Sequence, residues 1–552
     1  MPHAAARAAA AILLVWLASV TLWLTPGIII PDGAGYFVYL PSAILDRDLV
    51  FFDDWARIGA VRDGTFLFKE VTRTDHLANH WPVGSALTWA PGFLLGHLLL
   101  PITGSSPGGW SLPYNVAAAC MSALAGLGVL LGCFRVVAQW TSSGRAAAAV
   151  IAGWLGTNLL WYSLVNSLTA HAVSAFLATA LVLVSLRLRA SFQPSLILLA
   201  GAVGGMACSV RPQNLVLTLV PLLILWKVRD RTDLLRGAPW YALGGLIGAA
   251  PQLLVSQVLY GSPLGFTYLG SDSAGTPFAS FARIWWWEPL FSWYHGLFTW
   301  TPLALIGIGG IAALWKRDRG LAMSASWIFV SFWLINATME RSFWGGFAFG
   351  QRKFDALIPF LILGVGALAA VRPRLTAFFL VPSVVWTVAL MLASRSSLDL
   401  NQYQTGGELA AAAAAAVASV GNNLAPLGAV PESARLQVAF IAGVTLLCAG
   451  LLVLFLRKLS LRWKAGLAVG YLLFCSFWIA GVSRRDAATI ARWRPFLEEN
   501  RGRLSAGAIG MRIDLLAREA AYLEKSGRPT ELQETLGELE RLRHGDHSGS
   551  GR

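Results

Sequence analysis

The sequence predicts an all-α, polytopic membrane protein: a helical bundle with about 13 transmembrane helices. Of its 552 residues, 56% are hydrophobic and only 13% are charged, and the mean hydropathy is +0.59. Soluble domains carry about 25% charged residues, so this composition excludes an ordinary soluble protein. Small clusters of Lys and Arg separate long apolar runs. This arrangement is typical of helix-end anchors, so the net charge of +14 does not indicate a nucleic-acid partner.

Thirteen spans follow from the lengths of the apolar runs. In chain order they are residues 8–30, 114–139, 146–162, 168–186, 195–210, 215–226, 240–258, 296–315, 321–337, 356–371, 376–393, 436–456 and 465–482. The first run follows Arg7 as a signal peptide would, but its length of about 23 residues predicts a retained helix. Residues 82–101 are also apolar, but Pro82, Pro91 and His97 interrupt them. We interpret this segment as a helix that lies along the membrane interface.

The basic clusters orient the predicted bundle. Those that follow spans 2, 4, 6, 8, 10 and 12 all fall on the side of Arg7. Because basic loops favour the cytoplasm, this alternation predicts a cytoplasmic N-terminus. The outer face then carries the acidic first loop, residues 260–295, residues 340–353 and the C-terminal tail.

Two units are expected along the chain. Residues 1–483 form the transmembrane domain, within which residues 31–113 make a first outer loop that contains interfacial helices. Residues 484–552 form a small, soluble, helical tail. An apolar stripe at helical spacing indicates a short helical hairpin in this tail: Leu532, Leu536, Leu539 and Leu542.

Small residues indicate close contacts between helices in the membrane. Gly201 and Gly205 lie four residues apart in the fifth span, and Gly244 and Gly248 have the same spacing in the seventh. Such pairs let two helix backbones approach each other closely.

Metal and disulfide chemistry find little support in the sequence. The five cysteines lie inside apolar runs and form no CxxC motif, so neither a disulfide framework nor a thiolate metal site is indicated. His76 and His80 are four residues apart but lack a clear third ligand. Asp46 and Asp48 resemble the DxD motif of nucleotide-sugar enzymes, yet no segment here builds the soluble domain that those enzymes need. No metal is predicted; the cofactor is left open, a divalent cation included.

The acidic first loop carries the strongest catalytic candidate. Asp32 comes two residues after the predicted end of the first span, and a carboxylate at a bilayer edge is costly unless it is solvated or paired. Gly33 and Gly35 let backbone approach a ligand closely. The carboxylate suits a general base that takes a proton from a hydroxyl group. The alternative is a helix cap or turn in a solvated loop. Other possible bases in the same loop are Asp53, Asp54 and Glu70.

Basic residues on the predicted outer side of the membrane indicate an anionic ligand. Arg352 and Lys353 lie in a loop that the topology places outside, where the positive-inside rule disfavours them. Arg211, at the outer end of the fifth span, is either an interface anchor or an anion clamp, and its guanidinium matches phosphate oxygens. His171 lies near the outer end of the fourth span. The phosphate of a lipid carrier would suit these groups.

The chain resembles the GT-C superfamily of glycosyltransferases, which use polyprenyl-phosphate sugars and include protein O-mannosyltransferases and lipid A aminoarabinose transferases. The residues that carry the resemblance are PDGAGYFVYLP at 31–41, NHWPVGSALTWAPGFLL at 79–95 and SVRPQN at 209–214. WYHGLFTWTP at 293–302 and WGGFAFGQRKF at 344–354 resemble bacterial members. In the family an acidic residue of the first outer loop is the catalytic base, and Asp32 occupies that position. Several members pair two acidic residues there, whereas here Gly33 follows Asp32.

The resemblance implies that a sugar moves from a polyprenyl phosphate to a hydroxyl acceptor on the outer face of a bacterial inner membrane. The partners would be the polyprenyl-phosphate sugar donor, a glycan, lipid or protein acceptor, and membrane lipid, with no nucleic acid. Asp32 is the expected catalytic residue. The residues expected to bind substrate are Tyr36, Asp54, Asn79, His80, His171, Arg211, Trp344, Arg352 and Lys353.

Two other classes of function are compatible with a polytopic chain. One is a carrier that moves a lipid or sugar without chemistry, and the other is a scaffold that acts through its tail. A transporter is expected to place polar groups at mid-membrane and to show related halves. This sequence has few charges within its spans and no internal repeat, which favours the enzyme over the carrier.

Overall fold

The computed structural model describes residues 2–25, 27, 32–57, 61–62, 65–66, 71–265, 284–338, 343–419 and 432–543. Within these residues the regular structure is helical apart from one antiparallel hairpin, in which β1 (Val61–Arg62) pairs with β2 (Thr65–Phe66). The all-α fold predicted from the apolar runs is therefore confirmed.

In the described part of the chain, the first half contains eleven α-helices. They are α1 (Pro2–Trp23), α2 (Asp32–Phe37), α3 (Phe52–Arg57), α4 (Gly84–Leu98), α5 (Leu100–Thr103), α6 (Leu112–Val137), α7 (Ser143–Leu155), α8 (Ala170–Ala190), α9 (Pro194–Val210), α10 (Val220–Leu225) and α11 (Arg231–Tyr260). Two π-helical turns, Pro41–Asp46 and Trp161–Val165, and one 3₁₀ helix, Pro212–Leu219, join them.

The second half ends in a helical tail. Its helices are α12 (Glu288–Phe291), α13 (Leu297–Trp300), α14 (Leu303–Gly309), α15 (Ile311–Arg317), α16 (Arg319–Thr338), α17 (Ile358–Val371), α18 (Pro373–Ser396), α19 (Gly406–Ala418), α20 (Glu432–Lys458), α21 (Leu461–Val482), α22 (Asp486–Lys525) and α23 (Pro529–Arg543). A 3₁₀ helix, Arg352–Leu357, leads into α17, and another, Ser483–Arg485, connects α21 to α22.

Nine helices in the described part of the chain are long and apolar enough to cross a membrane. They are His3–Trp23, Leu112–Val137, Ala170–Ala190, Arg231–Tyr260, Arg319–Thr338, Arg352–Val371, Pro373–Ser396, Arg435–Lys458 and Leu461–Pro495. A polytopic bundle is thus confirmed, whereas the predicted number of thirteen spans is not.

The four other predicted spans correspond to shorter or broken helices. Residues 146–162 contain α7, which ends at Leu155, and then a π-helical turn. Residues 195–210 and 215–226 lie in shorter apolar helices. Residues 296–315 are divided among α13, α14 and α15. The first of these breaks falls at Thr301, because the residue before a proline is disfavoured in the helical conformation.

The predicted small-residue contacts join α9 to α11. A Cβ atom placed on Gly201 would lie 2.1 Å from the carbonyl oxygen of Tyr241, and one placed on Gly248 would lie 2.2 Å from that of Ala202. Side chains at these positions would force the two helices apart. The glycines therefore set the close packing of α9 against α11, and α9 is the helix that ends beside Arg211.

The first loop folds into short helices, and one longer helix packs along the bundle. Residues 82–101, predicted to lie in the membrane interface, form α4 and α5, and α4 packs against α6. A Cβ atom placed on Gly92 of α4 would lie 2.5 Å from the carbonyl oxygen of Ala117. The helical structure of this segment is confirmed, and its interfacial position stays a prediction.

The tail contains the helices α22 and α23, and the start of α22 packs on the first loop. One carboxylate oxygen of Asp486 accepts a hydrogen bond from the backbone N–H of Leu49 at 2.9 Å, and the other lies 3.0 Å from Nε2 of His76. The Thr489 hydroxyl donates to Asp48 at 2.8 Å. His76 thus pairs with an acidic residue of the tail. It belongs to the His76 and His80 pair, for which the sequence offers no clear third zinc ligand.

The far end of α22 packs on an aromatic cluster formed by two other loops. We define this aromatic cluster as Trp285, Tyr294, Phe343, Trp344, Tyr522 and Leu523. Tyr522 and Leu523 belong to α22, whereas the other members lie near the predicted outer loops 260–295 and 340–353. The tail therefore bridges the first loop and these segments at one end of the bundle.

Candidate active site

Asp32 is the first residue of α2, and its carboxylate is paired with a distant arginine. One oxygen forms an ion pair with Nη1 of Arg352, and the other accepts a hydrogen bond from the indole N–H of Trp81 at 3.2 Å. The Asp32 side chain retains 24% of its exposure. The structure thus brings together the predicted base and one predicted phosphate ligand.

Gly35 explains how Trp81 reaches Asp32. A Cβ atom at Gly35 would lie 2.1 Å from the Trp81 ring, so a larger residue would displace the indole. The remainder of α2 is buried, and the ring of Tyr36 packs edge-on against Trp81 and Trp89, with 6.4 Å between centroids in each pair. Gly35 of the PDGAG motif therefore leaves the space that the Trp81 ring occupies.

A second ion pair lies beside the first. Nη1 of Arg211 donates to Oδ2 of Asp355 at 2.7 Å, and Nδ1 of His171 lies 3.0 Å from the same oxygen. Nδ1 of His171 is also 2.8 Å from Nη1 of Arg211. The tautomer of the imidazole decides whether it donates to the carboxylate or accepts from the guanidinium. Asp355 and His171 together hold the Arg211 side chain in place.

The two ion pairs are neighbours because of one short helix. Arg352 and Asp355 are three residues apart in the 3₁₀ helix Arg352–Leu357, whose backbone is non-helical at Phe354 between them. Nη1 of Arg211 also lies 3.4 Å from the backbone carbonyl oxygen of Arg352. Asp355 was not among the predicted site residues, although its spacing from Arg352 was visible in the sequence.

Two tyrosines complete the surroundings of the ion pairs. The hydroxyl of Tyr162 accepts from the backbone N–H of Phe349 at 3.0 Å, and its ring packs on His171 with 4.2 Å between centroids. The charges of both ion pairs act electrostatically on Tyr36, which is a predicted site residue. Tyr162 was missed in the sequence because it lies within an apolar run that has no distinguishing motif.

The protonation states follow from burial and charge. Burial by itself would raise the pKa of Asp32, but the charge and hydrogen bond of Arg352 outweigh it and hold this pKa below the ordinary value of 3.8. Asp32 is therefore ionised at neutral pH. Burial raises the pKa of Tyr36 well above its ordinary value, so this phenol stays protonated and can donate a hydrogen bond.

Asn79 and His80 lie at the edge of the site. The side-chain amide of Asn79 donates to the carbonyl oxygen of Gly35 at 2.9 Å, and its oxygen accepts from the backbone N–H of Trp81 at 3.1 Å. The ring of His80 packs edge-on against Trp81, with 5.7 Å between centroids. Asn79 thus fastens the segment that carries Trp81 to α2.

The glycine pair of the WGGFAF segment packs next to Arg352. Gly345 and Gly346 have φ values of +79° and +73°, which favour glycine. A Cβ atom on Gly345 would lie 3.4 Å from Nε of Arg352 and 3.7 Å from Cε of Lys353, a largely buried residue. Trp344 itself points into the aromatic cluster, where its ring stacks on Tyr294 at 5.2 Å between centroids.

His295 is a buried histidine that the sequence reasoning did not select. Its backbone has a φ of +64°, and Nδ1 lies 3.0 Å from the carbonyl oxygen of Trp344. Burial, with a smaller contribution from the charge of Arg352, lowers the pKa of His295 to about 4. The imidazole is therefore neutral at neutral pH. It links the loop before α13 to the loop that carries Arg352.

The structure places Asp54 in a different cluster from the ion pairs. Its carboxylate is fully buried, accepts from the indole N–H of Trp110 at 3.1 Å and lies 3.5 Å from Nη1 of Arg57. Burial and the charges of Asp46 and Asp53 raise its pKa well above the ordinary value. These three carboxylates converge within 4.8 Å, with Arg57 as their cation. Glu70, another possible base, lies outside the described residues.

The comparisons with known proteins give one structural match. No family model and no curated protein matches the sequence. The chain is similar to the crystal structure of ArnT from Cupriavidus metallidurans bound to undecaprenyl phosphate, with 16% sequence identity and a TM-score of 0.46. The match covers 89% of this chain and 79% of that chain.

Proposed function

We propose that this protein is a membrane glycosyltransferase that moves a sugar from a polyprenyl phosphate to a hydroxyl acceptor on the outer face of the membrane. One observation carries the proposal: an ionised carboxylate, Asp32, lies in contact with Arg352 and beside the Arg211–Asp355 pair. A base and two guanidinium groups in one partly buried site match the needs of sugar transfer from a phosphate.

The reaction places a distinct demand on each group. The acceptor oxygen attacks the anomeric carbon, and its proton passes to Asp32. The bond between that carbon and the phosphate oxygen breaks, and its electron pair stays on the phosphate. The products are the inverted glycoside, the polyprenyl phosphate and a protonated Asp32, which then loses its proton to solvent. The departing phosphate needs charge stabilisation rather than protonation, which a guanidinium supplies.

The two arginines suit the phosphate for different reasons. Arg352 lies at the partly exposed carboxylate of Asp32, so an incoming anion can reach it. Arg211 is held by Asp355 and His171 and presents a fixed positive charge behind Arg352. A guanidinium offers a planar fork of donors that matches phosphate oxygens. The protonated hydroxyl of Tyr36 adds a neutral donor among the charges.

The Asp32→Asn variant tests the role of the base. Asparagine keeps the size of the side chain but cannot accept the proton, so we expect transfer to fall by about 10²–10⁴-fold. The measurement is mass spectrometry of envelope glycans and lipids in a deletion strain that carries either the wild-type or the variant gene. The glycan that wild type restores is the readout.

Asp53→Asn is the matched control, because Asp53 lies in the same loop but pairs with Arg57 rather than Arg352. This control should retain transfer, and wild-type activity should fall as acid protonates Asp32. Full transfer by Asp32→Asn, with loss in Asp53→Asn or Asp54→Asn, would move the base and keep the enzyme class. Full transfer by all of these variants and by Glu70→Gln would favour a carrier without chemistry.

A further inference from the structure

The two carboxylates that face the arginines are held with very different strength. Asp355 is fully buried, and one of its oxygens takes both Arg211 and His171 as partners. Its other oxygen accepts from the backbone N–H of Ala356 at 2.6 Å. With both oxygens occupied and no access to solvent, Asp355 cannot leave Arg211 without leaving a buried charge uncompensated.

Asp32 has a looser environment. Apart from Arg352, its partner among the described residues is the indole N–H of Trp81, which donates to it at 3.2 Å, and about a quarter of the Asp32 side chain reaches solvent. An ionised carboxylate with solvent access can lose its arginine at a modest cost, because water replaces part of the lost interaction. Of the two ion pairs, Asp32–Arg352 is therefore the one that can separate at a modest free-energy cost.

Several charged or titratable groups face Asp32. Arg352 comes from the 3₁₀ helix before α17 and His171 from α8, and both act on Asp32 electrostatically. The phenols come from two further elements: Tyr36 from α2 and Tyr162 from the π-helical turn. Arg211 and Asp355 complete the set through their effects on Tyr36. The only one of these groups that competes with an incoming phosphate for Arg352 within hydrogen-bond distance is Asp32 itself.

We propose that Arg352 exchanges partners during the reaction. The donor phosphate replaces the Asp32 carboxylate as the ion-pair partner of the Arg352 guanidinium. Asp32 is therefore free to act as a base only when the donor is bound. This inference rests on the proposed function. Before the donor binds, the base is held by Arg352 and is a poor proton acceptor. Once the phosphate occupies Arg352, Asp32 loses its stabilising cation and its proton affinity rises.

The same exchange assists release of the product. After transfer, Asp32 carries the acceptor's proton and is neutral, so Arg352 stays with the phosphate. When the proton leaves for solvent, Asp32 becomes an anion again and competes for Arg352. Binding of phosphate and ionisation of Asp32 are therefore opposed, and by linkage each weakens the other by the same factor.

The first test measures the affinity of a short-chain polyprenyl phosphate for the purified full chain in nanodiscs. In Asp32→Asn the competing charge is removed, so we expect binding to become roughly tenfold tighter, within the usual range of coupling between two sites. Asp32→Ala should change the affinity in the same direction. Thermal unfolding of each variant verifies that it is folded.

Asp318→Asn is the matched control for this affinity test. Asp318 pairs with Arg189, whose Nη2 lies 2.7 Å from Oδ1, and Arg189 is at the opposite end of α8 from His171. Loss of a carboxylate–arginine pair there should leave phosphate affinity unchanged. If Asp318→Asn bound the polyprenyl phosphate as tightly as Asp32→Asn does, the effect of charge would be nonspecific. That result would overturn the proposed exchange of partners at Arg352.

The second test measures how the affinity for the phosphate group depends on pH, in wild type and in Asp32→Asn. The probe is the methyl ester of the same lipid, whose phosphodiester keeps a single charge across the pH range. Its affinity for wild type should rise as pH falls and Asp32 becomes protonated, and this rise should vanish in Asp32→Asn. A rise that persists in the variant would belong to His171 or His295 and would contradict the exchange.

The outcomes separate this inference from the proposed function. Unchanged or weaker phosphate binding by both Asp32 variants overturns the exchange, whatever the transfer assay shows. Tighter binding together with full transfer supports competition between Asp32 and phosphate for Arg352, but it removes Asp32 as the base and so overturns the release of a base by the donor. Tighter binding together with lost transfer supports both.

Discussion

Asp32 and Arg352 are 320 residues apart in the chain, yet they form the pair on which the site depends. Each is partly buried, so each compensates the other's charge. Trp81 orients the carboxylate, and Gly35 leaves the space that the indole needs. At the scale of single residues, the proposed site is therefore a set of charges positioned by aromatic rings.

Arg352→Ala should weaken the binding of undecaprenyl phosphate. Loss of a charge-assisted phosphate contact costs about 1.5–3 kcal/mol, which is roughly a 10–150-fold change in Kd. A binding titration in nanodiscs measures it. Arg372→Ala, at the other end of α17, is the control and should bind as wild type does. If neither Arg352→Ala nor Arg211→Ala changed the affinity, the phosphate clamp would be excluded.

Short elements position the charges at the scale of secondary structure. The 3₁₀ helix Arg352–Leu357 places Arg352 beside Asp355, and α2 presents Asp32 at its first residue. The start of α22 covers the first loop: Asp486 holds the backbone of Leu49 and the ring of His76. The tail is thus a structural part of the end of the bundle that carries the first loop.

Asp486→Ala should increase local opening of the first loop without unfolding the helical bundle. It leaves the Leu49 N–H without its acceptor, and loss of a buried acceptor costs about 1–3 kcal/mol. We expect faster hydrogen exchange at Leu49 and a lower thermal midpoint. The comparison variant is Glu498→Ala, an exposed acidic residue of the same helix, which should exchange as wild type does. Unaltered exchange at Leu49 in Asp486→Ala would show that the tail does not hold this loop.

At the scale of the whole molecule, both ion pairs, the acidic first loop and the tail meet at one end of the bundle. The Arg189–Asp318 pair marks the opposite end of α8. The alternation of basic clusters predicts that the first of these ends lies on the outer face of the membrane. The orientation itself is a prediction from charge, because the bundle's geometry is the same in either direction.

Reporter fusions test this orientation. Fusions after Arg145, Lys227 and Lys464 should report the cytoplasm, and one after Arg484 should report the outside, because basic loops are retained on the cytoplasmic side. An alkaline phosphatase and a green fluorescent protein reporter give opposite signals at each site. A cytoplasmic signal after Arg484 would invert the placement of the tail and, with it, the side on which Asp32 lies.

Much of the fold was accessible from the sequence, because span length and apolar composition are local properties. The long apolar runs became long helices, and the glycine pairs marked where α9 and α11 touch. The predicted number of spans is not confirmed, because a proline or a π-helical turn divides some of the apolar runs, as at Thr301. Mean hydropathy does not reveal such breaks, because they arise from backbone steric clashes, such as those before a proline, and not from polarity.

The sequence alone was sufficient to identify the class of fold and to select Asp32, Arg211 and Arg352 as candidate site residues, since a charge at a membrane boundary stands out against apolar surroundings. Only the tertiary structure decided their partners: Asp32 with Arg352, Arg211 with Asp355, and Asp54 with a separate cluster. It also decided that the tail packs on the first loop. These contacts join residues far apart in the chain, and they depend on how helices pack rather than on any local spacing.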